Sequence, residues 1–437
     1  MRCVWKYWGK LPKFESLSKK TLFFQKTTTL FQQVIHNLKG SFLQLKVQFS
    51  TNPRPLLALL LFYLLLFIFP SNLAKHFIFG ESYVRGLLID YLVPTIYLVE
   101  LVALAFLLLN PWKKPSSRLF LSLIFLFLLS LVPSAAVGLA SPLWLISVTR
   151  FFELALWLLF GWWVAENIGW NERRKVFAFL GLGVVWVSLL ALGQFFLQRE
   201  IFGYWFLGEP LLSQMGGLAK TSLGGVEYLR SYGTFPHPNV LGGVLSVLLL
   251  WFISAKAWGP LLTGALGLVV SFSRLAAFSF LGGLLGFALG ASLITSHLSL
   301  LTLPSDFDDL SVSRRISLLQ SAWAMFQTAP ATGVGLGTFT ANLPDFELPP
   351  GPTLFLQPVH NIFALVAAES GIFAFLAFLL LIASAFFETI KKKRWLLTIS
   401  ILQLVFLGFF DHYLYTLPQG LFLLSLTLGL SFARDSA

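Results

Sequence analysis

The stretch Arg230-Ser-Tyr-Gly-Thr-Phe-Pro-His-Pro-Asn239 concentrates polar side chains within almost continuous apolar sequence. An arginine, a histidine and an asparagine at the mouth of a membrane helix cost free energy unless they face water, protein or a ligand. A guanidinium group binds anionic groups through two parallel hydrogen bonds, and an imidazole exchanges a proton near neutral pH. Arg230, His237 and Asn239 are therefore candidate functional residues.

Four further basic side chains interrupt apolar sequence later in the chain: Arg274, Arg314, Arg315 and His360. Residue type alone leaves two interpretations open for each of them. A lone histidine is commonly an interfacial hydrogen-bonding residue, and loop arginines commonly contact lipid headgroups or pair with carboxylates such as Glu227. The alternative is a shared site, which requires that the fold bring these side chains together.

His360 and Asn361 stand at the entrance to an apolar helix that carries Glu369 and Gly371 further along. Spacings of three and four place small residues near the face below His360: Ala364, Ala367, Ala368 and Gly371. We expect these small residues to let a neighbouring helix or lipid pack close beneath the histidine.

The run Gly333-Val-Gly-Leu-Gly-Thr-Phe339 has the glycine density of a phosphate-binding loop. It lacks the lysine and the Ser/Thr of a P-loop, and no βαβ unit surrounds it, so the pattern does not favour a nucleotide site. We expect a compact turn whose backbone can approach a substrate closely.

Residues Asp306-Phe-Asp-Asp309 precede a predicted amphipathic helix whose apolar stripe follows spacings of three and four: Ile316, Leu319, Trp323 and Phe326. Acidic residues stabilise the positive end of a helix dipole, so we interpret the cluster as capping. Asp306-x-Asp308 also matches a two-aspartate metal pattern, but three-residue acidic patterns are common by chance. No metal site is expected.

The composition is that of a multi-span membrane protein. Of 437 residues, 57% are hydrophobic and 11% are charged, and the mean hydropathy is +0.79. The net charge of +12 comes largely from the first fifty residues and from short loops. That distribution follows the positive-inside rule and does not indicate nucleic-acid binding. The one cysteine, Cys3, permits no internal disulfide.

Apolar runs predict an all-α polytopic integral membrane protein with about ten to twelve transmembrane helices in the cell membrane. Clear spans are expected at about 56–70, 87–109, 119–137, 143–164, 176–197, 239–255, 361–387, 395–410 and 417–432. The basic loops at 110–118 and 165–175 are expected to be cytoplasmic. Residues 198–238 and 304–359 are then two long loops on the extracytoplasmic side.

The predicted organisation has four parts: a basic cytoplasmic tail (1–55), a transmembrane bundle (56–197), a catalytic region with the two outer loops (198–390) and C-terminal transmembrane helices (391–437). Between Lys256 and Pro304 the chain must cross the membrane an odd number of times. Because Ser271-Phe-Ser-Arg274 divides this stretch, we expect a broken or re-entrant helix there, or a short extra span reaching Leu303.

Taken together, the motifs resemble the O-antigen ligase and polymerase superfamily, membrane proteins that transfer glycans from polyprenyl diphosphate carriers. The resemblance rests on Arg-x-x-Gly-Thr-Phe-x-His-Pro-Asn ending at Asn239, on Ser273-Arg274, on Arg315-x-x-x-Leu followed by the glycine run, and on His360-Asn361. Ten residues separate His360 from Gly371, as in the family's histidine-to-glycine motif.

The resemblance implies a GT-C-like fold and a site on the extracytoplasmic face. It implies that Arg230 and Arg315 bind the diphosphate, with Arg314 as the alternative in register and Arg274 as a weaker candidate. His360 would be the base that takes the acceptor proton, because an unperturbed pKa near 6.5 suits that role. His237, Asn239, Asn361 and Glu369 would support the site. Neither a metal nor another cofactor is implied.

The family's motifs recognise the shared donor, so they do not identify the acceptor. Three acceptors remain: a lipid core sugar, another lipid-linked repeat, or a protein side chain. Membrane lipid is the other expected partner. A different class, a flippase for lipid-linked oligosaccharides or another polysaccharide transporter, remains the alternative function. Many transporters show internal repeats and mid-membrane polar groups. This function is disfavoured because the sequence shows no internal repeat and carries its motifs in two outer loops.

Overall fold

The computed structural model describes residues 53–110, 117–289, 309–351 and 354–435. The chain divides into two units, residues 1–59 and residues 60–437. The helices are α1 (Pro53–Ile68), α2 (Leu98–Leu109), α3 (Arg118–Leu139), α4 (Trp144–Asn167), α5 (Arg173–Leu197), α6 (Pro238–Ala255), α7 (Trp258–Val270), α8 (Arg274–Leu289), α9 (Asp309–Thr328), α10 (Phe339–Asn342), α11 (Ile362–Lys391), α12 (Trp395–Phe410), α13 (Tyr413–Thr416) and α14 (Pro418–Phe432).

Within the part of the chain that the structure describes, five helices are long and apolar enough to cross a membrane: α3, α4, α5, α6 and α11. Six further apolar helices in the described residues are shorter: α1, α2, α7, α8, α12 and α14. The predicted all-α polytopic membrane fold is confirmed. The shorter helices rise about 1.5 Å per residue, so each falls below the roughly 30 Å of a bilayer core.

The described residues form three two-stranded antiparallel sheets outside the helices: β1 (Ala74–His76) with β4 (Thr95–Tyr97), β2 (Tyr83–Val84) with β3 (Leu87–Leu88), and β5 (Lys220–Leu223) with β6 (Val226–Leu229). The registers place Lys75 opposite Ile96, Val84 opposite Leu87 and Ser222 opposite Glu227. Of the two predicted outer loops, 198–238 thus contains the β5–β6 hairpin.

The span predicted at 87–109 is wrong in its first half, because helix α2 begins only at Leu98. The residues before it form the two small sheets. Arg85 and Gly86 have φ of 49° and 83°, a left-handed pair that turns the chain between β2 and β3. Pro94 has no backbone N–H to continue a helix. The predicted helix was too long because the apolar run includes residues whose backbone does not form a helix.

Helix α6 lies at the centre of the bundle, and nearly all of its residues are buried. Helices α7 and α8 both pack on α6. Gly264 and Gly267 of α7 face Leu249 and Leu245 in turn, so α7 runs antiparallel to α6. Ser271 and Ser273 then meet Gly242 near the start of α6. The predicted interruption at 271–274 is therefore the tip of a helical hairpin.

The glycine run forms the predicted compact turn, and it packs against a break in α11. Gly371 has φ 75° and ψ −176°, which interrupts the helix. Val334 N and Gly335 N donate to the carbonyl oxygens of Ala368 and Glu369 at 3.0 and 3.1 Å. The small face of α11 thus receives this turn at Ala368 and Gly371, where a neighbouring helix or lipid had been expected.

Helix α9 is the predicted amphipathic helix. Its stripe residues Ile316, Leu319 and Trp323 are 52%, 47% and 60% exposed. The opposite face is buried on the protein through Leu318, Ala322 and Met325. The helix therefore carries apolar residues on both faces, one packed and one outward.

Several predictions fall outside the described residues. These concern most of the basic tail (1–52), the loop residues Lys113 and Lys114, the acidic residues Asp306 and Asp308, and any crossing within 290–308.

Candidate active site

Arg230 lies between β6 and α6, and its guanidinium group is fixed from two sides. Its Nε donates to the carbonyl oxygen of Ser271 at 2.9 Å, at the tip of the α7–α8 hairpin. Its Nη2 donates to Asn239 Oδ1 at 2.6 Å. Glu227 pairs with Lys220 at 2.8 Å, so the alternative pairing of Arg230 with this glutamate is wrong. Within the described residues, Arg230 Nη1 has no hydrogen-bond partner.

The backbone after Arg230 is held as tightly as the side chain. Tyr232 N and Gly233 N both donate to Gln194 Oε1, at 3.0 and 2.8 Å, and Gly233 has φ 59°. The Thr234 hydroxyl donates to the carbonyl oxygen of Pro70 at 2.6 Å. These contacts orient the polar stretch before any ligand binds.

Arg274 begins α8, is exposed and lies close enough to act on Arg230 electrostatically. Burial lowers the pKa of Arg230, and the positive charge of Arg274 lowers it further. Two guanidinium groups at this end of the hairpin make a local positive field. Such a field favours an anionic ligand over a neutral one.

His237 is exposed and caps helix α6. Its Nδ1 accepts a hydrogen bond from Asn239 N at 3.1 Å, which satisfies one of the free donors of the first helical turn. The neutral ring then carries its proton on Nε2, where it can donate. The surrounding protein lowers the pKa of His237, the charge of Asp411 opposes this, and Arg230 reinforces it.

His360 lies one residue before Asn361, the N-cap of α11. Asn361 Oδ1 accepts from Phe363 N and Ala364 N, both at 2.9 Å, and Asn361 Nδ2 donates to the carbonyl oxygen of Phe409 at 3.3 Å. Asn361 therefore anchors the helix start to the end of α12. His360 Nδ1 is buried and has no hydrogen-bond partner among the described residues.

The structure adds Asp411 and His412, which the sequence analysis missed. The His412 ring lies 5.3 Å from the His360 ring, centroid to centroid, in an edge-on arrangement. Asp411 Oδ1 accepts from His412 N at 2.8 Å, and His412 Nδ1 lies 2.7 Å from Thr416 Oγ1. The available signal was the pair Asp411-His412, which interrupts two apolar runs at their junction.

Of the two neighbouring arginines, Arg315 faces the histidines. Its Nη1 donates to the carbonyl oxygen of Phe410 at 3.4 Å, and its charge acts on His237, His360 and His412. Arg314 instead donates from Nε to Pro350 O at 3.0 Å and stacks over the Phe355 ring at 4.6 Å. The geometry therefore favours Arg315 for the motif position.

Burial controls the protonation of this cluster. It lowers the pKa of His360 to about 3 and that of His412 to about 4, although the charge of Asp411 acts in the opposite direction. Burial acts to raise the pKa of Asp411, but His412 and His360 hold it below its usual range. Both rings are therefore neutral near pH 7. The expectation of an unperturbed histidine was wrong, because the site is more enclosed than a helix entrance suggests.

Glu369 is not part of this cluster. It follows the first turns of α11, where its Oε1 accepts from Phe339 N at 3.2 Å. It lines a cavity of about 210 Å³ together with Arg150 and Glu153, which form an ion pair at 2.7 Å. None of the four candidate arginines lines this cavity. In the described part of the chain, no three histidine, cysteine or acidic residues are arranged as a metal site.

The candidate residues thus form two groups linked through His237. One is Arg230 with Asn239 and Arg274, and the other is His360 with His412, Asp411 and Arg315. His237 acts electrostatically on both, through Arg230 and through His360. An anion held by the arginines would lie next to a neutral imidazole. That combination suits transfer of a group from an anionic leaving group to a proton-bearing acceptor.

The family model described as O-antigen ligase matches residues 239–379, about a third of the chain. This confirms the resemblance and supports a glycosyl-transferring membrane enzyme of polysaccharide biosynthesis. The matched region includes Asn239, Arg274, Arg315 and His360, whereas Arg230 precedes it and Asp411-His412 follow it. A search of curated proteins found no match.

Proposed function

Because residues 239–379 match the O-antigen ligase family, we propose that the chain moves a glycan from a polyprenyl diphosphate carrier to an acceptor hydroxyl. The observation that carries this proposal is the unpartnered Nδ1 of His360, beside His412 and within the electrostatic reach of Arg315. A proton acceptor next to an anion-binding group is what the reaction requires.

In the proposed reaction, the acceptor oxygen bonds to the anomeric carbon while the bond from that carbon to the phosphate oxygen breaks. The electron pair of the broken bond leaves with the diphosphate, whose charge is already distributed over several oxygens. The acceptor proton passes to His360. One direct displacement inverts the anomeric centre, and the scheme uses neither a nucleotide nor a metal ion.

Arg230 and Arg315 are proposed to hold the departing diphosphate. The two hydrogen bonds of Arg230 fix the plane of its guanidinium, leaving Nη1 directed to a ligand. Donors fixed before the reaction stabilise developing charge without reorganisation, which is usually a large contribution to catalysis. Arg274 and the Nε2–H of His237 are further donors on the Arg230 side of the site.

His360 is proposed to work as a base despite its low pKa in the free protein. A buried neutral imidazole is poor at holding a proton, because burial disfavours the charged ring. The bound diphosphate adds negative charge beside it, and Asp411 already favours the imidazolium. Both effects raise the proton affinity of His360 when the donor is present, so the base is matched to the donor complex.

The site is proposed to face the extracytoplasmic side, where the basic loops of the sequence place residues 198–238 and 304–359. The acceptor is a lipid core sugar in a ligase, a second lipid-linked repeat in a polymerase, or a protein side chain. All three offer a nucleophile to the same base.

The decisive experiment mixes purified, reconstituted protein with a polyprenyl-diphosphate-linked glycan and each of the three acceptor classes. We expect the glycan on one acceptor and free polyprenyl diphosphate in equal amount. Movement of the intact donor across the bilayer without any transfer would instead indicate a flippase and overturn the proposal. The His360→Ala variant serves as the matched inactive control.

A further inference from the structure

The cavity near the histidines is lined by none of the four candidate arginines, but two of its wall residues contact His412. Its wall includes Tyr91, whose ring lies 5.3 Å from that of His412, and Thr416, whose hydroxyl lies 2.7 Å from His412 Nδ1. Pro236 and Pro358 also line it, one residue before His237 and two before His360. A molecule in this cavity would therefore contact residues that themselves touch the histidine cluster.

The charges in the cavity wall select against a second phosphate. Asp90, Glu153 and Glu369 contribute three carboxylates. Arg150 contributes one guanidinium group, which forms an ion pair with Glu153. An anion would meet an excess of negative charge. Carboxylates and hydroxyls are good partners for a neutral molecule that bears several hydroxyl groups, because each carboxylate accepts more than one hydrogen bond.

Two wall residues have polar atoms without a partner. Thr340 is 1% exposed and Arg150 is 8% exposed, and neither Thr340 Oγ1 nor Arg150 Nη2 has a hydrogen-bond partner among the described residues. Buried polar atoms are nearly always paired, since an unmade hydrogen bond is costly. Both residues line the same cavity, so a hydroxylated ligand there would satisfy both.

We propose that this cavity binds a neutral sugar of the acceptor and presents one of its hydroxyls to the histidine cluster. Tyr91, Tyr97 and Phe339 supply aromatic faces in the wall, on which the apolar face of a sugar ring can pack. The assignment to the acceptor rests on the proposed function, in which the donor diphosphate occupies the arginines. The ligand would be a neutral hexose-like ring.

The test uses Thr340→Val, which removes the unpartnered hydroxyl and keeps the shape of the side chain. The matched control is Ser188→Ala, since Ser188 Oγ is also buried without a described partner but lies outside the cavity. Full-length protein is titrated with methyl glycosides of glucose, galactose and mannose, and separately with inorganic pyrophosphate. Binding is measured by calorimetry, and the thermal midpoint reports folding.

We expect at least one methyl glycoside to bind, and Thr340→Val to weaken it roughly two- to tenfold, the usual worth of one neutral hydrogen bond. Ser188→Ala should bind it as the wild type does. Failure of all glycosides to bind, or equal binding by Thr340→Val, would overturn the proposal. So would pyrophosphate binding that Thr340→Val weakens, because the cavity would then recognise an anion.

A transfer assay separates this inference from the proposed function. Thr340→Val should raise the KM for the acceptor and leave the KM for the polyprenyl-diphosphate donor unchanged. If the wild type binds a glycoside but transfers nothing, the proposed function fails and the sugar site stands without its acceptor role. If the wild type transfers normally and Thr340→Val changes only the donor KM, the acceptor-sugar assignment alone fails.

Discussion

At the residue scale, the orientation of Arg230 matters more than its charge. Its guanidinium group is fixed by Ser271 and Asn239, so the remaining N–H groups, chiefly those of Nη1, are held in one plane for a ligand. Lysine keeps the charge but has neither the planar group nor the two fixing hydrogen bonds. We expect Arg230→Lys to lose most of the transfer activity, with Arg230→Ala similar or worse, at matched abundance in the membrane.

A surface anchor for lipid headgroups would behave differently. Lysine would then restore activity almost fully, because exposed ion pairs are worth only about 0–1 kcal/mol. Lys220→Ala is the control, since Lys220 is exposed and forms its pair with Glu227. Wild-type rates from Arg230→Lys would contradict the role of the fixed guanidinium group and leave Arg315 as the main diphosphate ligand.

The pH dependence of transfer follows from the protonation of His360. Its pKa in the free protein is lowered to about 3, so the basic form is already complete at pH 5 and stays so up to pH 8. The acidic limb of kcat/KM should therefore show no inflection near 6.5. His360→Ala should lower the rate by about 10²–10⁴ across this range.

This profile separates two assignments of the base. Loss of transfer in His237→Gln together with retained transfer in His360→Ala would assign the base to the more exposed His237. Near-normal turnover by His360→Ala would also contradict the proposed mechanism. Folding of each variant is checked by size-exclusion chromatography before rates are compared.

At the element scale, the break in α11 lies two residues after Glu369, where the glycine run packs against the helix. Gly371 has φ 75° and ψ −176°, a region that glycine alone occupies readily, and a Cβ there would lie 2.5 Å from Ala331 C. Gly371→Ala should cost about 1–3 kcal/mol from backbone strain alone, with more from the contact. We expect a lower thermal midpoint and loss of transfer.

The control for this substitution is Gly282→Ala in α8, where an added Cβ meets no atom within 4 Å. Alanine is also the better helix former, so Gly282→Ala should be neutral or slightly stabilising. Equal thermal midpoints for the two variants would show that the break in α11 is not a structural requirement.

Contacts within a short stretch of chain could be predicted from the sequence, whereas contacts between distant elements could not. Arg230 and Asn239 are nine residues apart and meet through one chain reversal, and Asn361 caps its own helix, so local patterns were sufficient for both. Asp411 and His412 reach His360 only because α12 returns to the start of α11. That pairing depends on tertiary packing, and no local pattern encodes it.

The wrong prediction of a transmembrane span at 87–109 has a different cause. Hydropathy does not distinguish a helix from an apolar hairpin, so an apolar run alone was taken as a helix.

At the scale of the whole molecule, both loops must face the same side of the membrane if they form one site. Ser222 and Pro350 are exposed, one in each segment. On a Cys3→Ser background, Ser222→Cys and Pro350→Cys should each react with a membrane-impermeant thiol reagent in intact cells. The positive-inside pattern of the loops is the basis for this expectation.

Lys391→Cys is the control for sidedness, because Lys391 is exposed at the opposite end of α11. It should react only after the cells are permeabilised. Labelling of only one of the two outer positions in intact cells would exclude a single shared site on that side.

The short helices near Arg230, α7 and α8, make the site sensitive to the thickness of the surrounding bilayer. Helices α7 and α8 have 13 and 16 residues, hence about 20 and 24 Å of length against a hydrocarbon thickness of roughly 30 Å. Lipid next to them must compress, and each ångström of mismatch costs a fraction of a kcal/mol. In a bilayer that surrounds both helices, we expect the headgroup plane to dip toward the hairpin tip, where the carbonyl of Ser271 holds Arg230. The proposed lipid-borne diphosphate donor would then be lowered to the level of the guanidinium, so we expect acyl-chain length to tune the capture of the donor and to leave the acceptor step unchanged.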